Sequence, residues 1–294
     1  MSLLLLLGCI DQGVSAVKFD AIAVVEGDFD DVGATLTSLS INTQPYDGFI
    51  VQAAYDPEDD RRVRGYGAPS VEGLLTSSDE SGRVQVRLFN AVFINSGTRG
   101  LGAWQYNDQL EPDDTLLLDA FAMEQACGFA DSGGTLVVSD WAYDLVEHCW
   151  PDNIEFFGDD LSPDAAQAGM PNDGVLAAVE AEDLQEALGQ GINLRYDYSA
   201  WSVIESVNSA TEVLLSGTVE YQPSADQLPQ TLVDAPLMVR FATGRGQVVY
   251  TTFHWSAQTA QVAQTLLLTA VEGLEEGAGE DSTEAAGVEE ESSG

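Results

Sequence analysis

Basic residues are nearly missing from this 294-residue chain. Ten Lys and Arg, with Lys18 the sole lysine, stand against 49 Asp and Glu, a formal charge of −39. A surface so short of cations cannot lay a positive face along phosphates, so no nucleic-acid partner is expected. The acidic excess reads as a solvated, self-repelling surface that salt should stabilise. Histidine occurs only at 148 and 254. A zinc site would need carboxylates to complete it, and His148 and Cys149, adjacent on one helix, point in different directions; no metal or cofactor is expected. No apolar run is long enough to span a bilayer. Gly-x-Gly-x-x-Gly and a Walker lysine are both absent, so Ser96-Gly97-Thr98-Arg99-Gly100 reads as a turn rather than a phosphate cradle. Of three cysteines, Cys127 and Cys149 fall on helices flanking one strand. They can pair in an oxidising compartment or stand as two buried thiols.

What is present is a succession of short apolar runs followed by helical spacing. Ala21–Val25, Tyr46–Val51, Ala91–Asn95 and Leu136–Val138 read as strands buried on both faces. Helices are expected after the first strand, at Val71–Thr76, over 113–131 (Leu118, Ala122, Ala126 and Phe129 on one face), and from Trp141 to Pro151. In Asp28-Phe29-Asp30-Asp31, Asp28 is expected to cap the first helix, with the following acids at its positive end. The arginines and acids near 56–64 should pair on the surface. Ile154–Phe157 reads as a further short strand. The second half alternates polar and apolar residues (Asn193–Tyr198, Trp201–Val207, Glu212–Tyr221) after a short helix at Asp183–Leu188. It then forms a hairpin, Pro236–Phe241 with Gln247–Phe253. A last helix runs from about Ala257, with Val262, Leu266, Ala270 and Leu274 on one stripe. These elements predict an α/β fold: a doubly wound, mainly parallel, flavodoxin-like sheet with helices on both faces and an antiparallel C-terminal extension.

The ends carry a different signal. Leu3–Leu7 is apolar and leads into Gly8-Cys9. Leu-Leu-Gly-Cys resembles the lipobox of bacterial lipoproteins, which implies residues 1–8 as a signal-peptide remnant, Cys9 as the lipidated residue and 9–18 as a tether. No Lys or Arg precedes the run, which is at the short end for a signal core. Residues 19–274 form one domain on this reading, and 275–294, almost without apolar content, an acidic disordered tail. The implied address is the bacterial cell envelope, with a membrane partner held through the N-terminal lipid.

The strand-corner-helix GGTLVVSDW and the late hairpin GRGQVVYTTFHW resemble the class I glutamine amidotransferase-like superfamily. Within it they are most similar to the trehalose-utilisation-protein-like branch and to bacterial lipoproteins of unassigned function. The resemblance implies a cysteine nucleophile in a Gly-x-Cys-x-Gly elbow and a later His-x-Glu. Here the elbow reads Val138-Ser139-Asp140-Trp141, without cysteine or glycine, and the later position reads Phe253-His254-Trp255-Ser256, without glutamate. A thiolate needs a neighbouring base that a third group orients, so glutaminase chemistry is not expected. Ser139, Asp140 and His254 are the candidate remnant site. The plainer account makes Asp140 a helix cap and His254 a polar residue satisfied at a strand end. Trp141 and Trp255 flank these positions and can stack a carbohydrate or other small ligand if they share a cleft.

The function expected is therefore binding or scaffolding without catalysis, for a small-molecule or protein partner. One alternative is a hydrolase using Asp140 and His254 at the carboxyl edge of the sheet; another is a structural surface lipoprotein with no small ligand.

Overall fold

The computed structural model describes residues 21–49, 67–102, 115–158, 166, 168–198, 200–224 and 226–271. The expected signal remnant, Cys9, the tether, the arginine-rich loop, Leu274 and the acidic tail lie outside the described residues.

Three apolar segments form the strands β1 (Ile22–Val25), β3 (Ala91–Ile94) and β4 (Thr135–Ser139), and β2 (Gln44–Tyr46), with only Tyr46 buried, ends where the sequence places the start of its second strand, at Tyr46. Every residue of β1, β3 and β4 is buried, as in strands whose two faces are both covered. Two short strands follow, β5 (Ile154–Phe156) and β6 (Ala168–Gly169). Then come β7 (Asn172–Val179), β8 (Gly191–Tyr196), β9 (Ile204–Val207), β10 (Thr211–Gln222), β11 (Gln230–Thr243) and β12 (Gly246–Thr251).

They build a mixed ten-stranded sheet in the order β2-β1-β3-β4-β12-β11-β10-β7-β8, with β6 added to β10. The first five in that order are mutually parallel; the rest are antiparallel. Thus β4 lies inside the parallel half, between β3 and β12, and β12 is where the antiparallel extension joins. The extension alternates exposed and buried residues because one of its faces meets water. The strand β5 departs from expectation: it leaves the main sheet and pairs with β9 in a separate two-stranded ribbon.

Helices cover both faces. Alternate residues of β1 and β4 point to opposite layers. Val24 and Val137 join α1 (Val32–Ser38) and α6 (Ala260–Val271) in one core, while Val25 and Val138 join α2 (Val71–Thr76), α3 (Ala120–Asp131) and α4 (Tyr143–Cys149) in the other. The helix α5 (Glu182–Leu188) packs on β7 and β8. The cap of α1 is Asp31, whose carboxylate accepts from Ala34 N at 2.9 Å, not Asp28 as the sequence suggests. Asp28 instead pairs with Arg99 at 2.8 Å. The helix expected over 113–131 starts only at Ala120, capped by Asp119. Leu118 falls in a separate 3-10 turn before it and is 55% exposed rather than buried. Cys127 of α3 and Cys149 of α4 are disulfide-bonded, which decides between the two states the sequence leaves open.

Candidate active-site remnant

The central strand ends at Ser139, and the next residue breaks the extended path. Asp140 adopts φ +46°, a left-handed conformation that costs a non-glycine residue on the order of 1 kcal/mol or more. The turn persists because its surroundings over-determine it. Tyr250, on the neighbouring β12, donates its hydroxyl to the Asp140 carbonyl at 2.8 Å. The Asp140 side chain, fully buried, takes four further hydrogen bonds. One oxygen accepts from Ser202 N at 2.7 Å and from Ser202 Oγ at 3.2 Å. The other accepts from Ser96 Oγ at 3.1 Å and from His254 Nε2 at 2.8 Å.

Neither Ser139 nor Asp140 caps a helix, contrary to the plain reading of the corner. The 3-10 turn Asp140–Ala142 and α4 behind it have no side-chain cap. Ser139 Oγ instead accepts from Ser96 N at 3.0 Å, tying the carboxyl ends of β3 and β4 together. Asp140 points across the sheet edge because three loops converge on it: those after β3 (Ser96), after β8 (Ser202) and after β12 (His254).

His254 is held from both sides. Its Nδ1 lies 3.1 Å from Asp197 Oδ1 and its Nε2 2.8 Å from Asp140 Oδ2. An ionised carboxylate can only accept, so a histidine that bonds one at each ring nitrogen does so as an imidazolium. Burial by itself would push the His254 pKa down. The hydrogen bonds from both carboxylates and the nearby negative charge of Asp140 and Asp30 outweigh it and raise the value to about 10. The bond from His254 pulls the carboxyl of Asp197 below its ordinary range, partly opposed by burial. The rings of Tyr198 and His254 meet nearly at right angles, with their centroids 4.5 Å apart.

A Ser-His-Asp line is present in outline. Ser96 Oγ lies 3.2 Å from His254 Nε2, and Asp197 sits at Nδ1. Its polarity is the reverse of an activated nucleophile. The serine hydroxyl donates to Asp140 and accepts from the imidazolium and from Trp141 N at 3.4 Å, so no lone pair of the ring is left to take its proton. Ser96 is also completely buried.

The two tryptophans part company. Trp255 is buried among the residues under α6, where it meets Phe253, whereas Trp141 packs with the layer of α4, meets Tyr143 at 6.1 Å, and donates Nε1 to Ala200 O. Trp255 is fixed by a residue that sequence reasoning placed only in a helix's first turn. Asp30, completely buried, accepts from Trp255 N at 2.9 Å and Ser256 N at 3.0 Å. Among the described residues, no group of three His, Cys, Asp or Glu is arranged to hold a metal ion.

The sequence singled out Ser139, Asp140 and His254 but not Ser96, Asp197, Ser202 and Tyr250, which the fold brings to Asp140 and His254. Ser96 opens the turn read as structural, and Asp197 closes an alternating strand; nothing in their spacing marks them as partners of residues 44 and 57 positions away.

No family model and no curated protein matches the sequence. Among solved structures, the chain is similar to PurLQS from Thermotoga maritima at 11% identity and TM-score 0.47, covering 86% of this chain and 97% of that one. It is similar to a cytoplasmic protein of Salmonella typhimurium at 11% identity and TM-score 0.44, with the same two coverages. A β-galactosidase from Bacillus circulans sp. alkalophilus matches at 14% identity and TM-score 0.44, over 85% of this chain and 30% of that one.

Proposed function

We propose that this chain is a non-catalytic, extracytoplasmic binding or scaffolding protein on an amidotransferase-like, doubly wound sheet, anchored through lipid at Cys9. The observation that carries the reading is the carboxylate–imidazolium–carboxylate chain Asp140–His254–Asp197. It fills the corner where an enzyme of this kind would keep a nucleophile and a free base. The parallel strands taken alone run β2-β1-β3-β4-β12, which matches the flavodoxin-like order. The Cys127–Cys149 bond favours an oxidising compartment over the cytosol. Mass spectrometry of the mature N-terminus tests the anchor: a diacylglyceryl mass on Cys9 supports it, and an unmodified Met1 removes it. A thermal-shift ligand screen in high salt tests binding.

The second reading is a hydrolase, favoured by the left-handed elbow and by the Ser96–His254–Asp197 line. Labelling with a fluorophosphonate separates the two. No adduct on Ser96 is expected; a stoichiometric adduct would establish the hydrolase.

A further inference from the structure

The strand β8 forms one rim of the main sheet. Val179 N donates to Gln190 O at 3.1 Å. By the two-residue period of a strand, Gln190, Ile192, Leu194 and Tyr196 then turn their main-chain groups toward β7, and Gly191, Asn193 and Arg195 turn theirs outward.

The fold treats these outward positions unequally. At Arg195 the Gln258 side chain substitutes for a missing strand: its Oε1 accepts from Arg195 N at 3.1 Å and its Nε2 donates to Arg195 O at 2.9 Å. Gly191 and Asn193, both exposed, have no such cover among the described residues. The usual guards of a rim strand are missing too. There is no charged side chain and no proline from Leu188 to Leu194, nor from Gly174 to Val179 on the strand behind, in a chain of which 20% is charged. Leu176, beside Asn193 in the register, is 70% exposed.

We infer that the Gly191–Asn193 rim of β8 is a self-association edge that pairs antiparallel with the same rim of a second copy of this chain. The pattern is self-complementary. With a two-fold axis at Ile192, Gly191 of each copy faces Asn193 of the other, and each such pair exchanges two main-chain hydrogen bonds. Gly191 lacks a side chain, which leaves room for the close approach. A second copy is the occupant that suits the charge distribution. Two molecules at −39 repel each other least where neither brings carboxylates, and a basic partner would find no charge to recognise on this rim. Screening of the remaining surface makes the pairing stronger in high salt.

Sedimentation velocity of the full chain, at low and high salt, tests this with wild type, Asn193→Pro and Asn193→Lys. Wild type should show a monomer–dimer equilibrium shifted toward dimer by salt. Asn193→Pro removes one outward N–H per copy, two of the four bonds, and should weaken the dimer about tenfold. Asn193→Lys should weaken it most at low salt, and it keeps the experiment decisive if proline disturbs the strand. A wild type that stays monomeric at every salt and concentration overturns the inference. So does a dimer that neither substitution weakens.

Discussion

The Tyr250 hydroxyl donates to the main-chain carbonyl of Asp140 at 2.8 Å and also meets Ser202 Oγ. It thereby locks the left-handed corner at the end of β4 to the neighbouring strand. Burial, and the charge of Asp140, push the Tyr250 phenol upward, so it remains a donor. Tyr250→Phe keeps the ring, its contact with Phe156 and the volume, but leaves the Asp140 carbonyl without this donor. A loss of about 1–3 kcal/mol in urea unfolding is expected; an unchanged midpoint would mean that the corner does not depend on the bond.

His254 should make stability depend on alkaline pH. Its folded pKa is raised from 6.5 to about 10, so its contribution is complete below about pH 6.5 and is lost as pH rises toward 10. Asp197 acts on the other side. Its lowered pKa gives a contribution present above the ordinary carboxylate range and lost as pH falls through its folded value. Urea midpoints measured from pH 6 to pH 10.5 should decline for wild type. They should decline much less for His254→Gln, which has no charge to lose. Equal slopes would refute the imidazolium.

Removing the ring outright is a harsher change. His254→Ala leaves Asp140, fully buried, without the cation that faces it. Breaking a buried ion pair in this way costs about 3–5 kcal/mol. The double variant His254→Ala with Asp140→Asn should recover part of that loss, because the stranded charge is gone. A double variant no more stable than His254→Ala alone would show that the cavity, not the charge, sets the cost.

The bond between Cys127 and Cys149 closes a loop with a sequence separation of 22. Such a crosslink restrains the unfolded chain by roughly 3 kcal/mol in the chain-entropy account. Thermal melts with and without reductant should differ by several degrees, and the Cys127→Ser, Cys149→Ser pair should melt like the reduced wild type. Identical melts would show the bond to be absent in solution.

A formal charge of −39 repels itself over the whole surface, and few cations offset it. Melting temperature should therefore climb as sodium chloride is raised, first steeply through screening. A melt insensitive to salt would contradict that account.

Which parts of this were legible beforehand follows from the range of the forces involved. The runs IAVV, AVFI and TLVVS are strands because their residues are adjacent and apolar, and Val71–Thr76 is a helix with its cap, Ser70, beside it. Asp31 caps α1 because the helix starts at Val32, and Asp28, left ahead of the cap position, pairs with Arg99, 71 residues further on. Ile154–Phe156 is a strand as its sequence suggests, but its partner is Ile204–Val207, a pairing that its own residues do not encode.

The same division runs through the candidate site. Sequence alone determined that a strand ends at Ser139 in a polar corner, that cysteine is missing there, and that a histidine follows a late strand; these are properties of neighbouring residues. Only the tertiary structure decided that Asp140 turns away from its helix, that Ser96 and Ser202 saturate it, and that Asp197 completes the cage around His254. Each of those bonds joins residues 44 to 114 positions apart. Electrostatic capture of a buried carboxylate acts through space, and the order of strands in the sheet, not the order of residues in the chain, sets which donors come within reach.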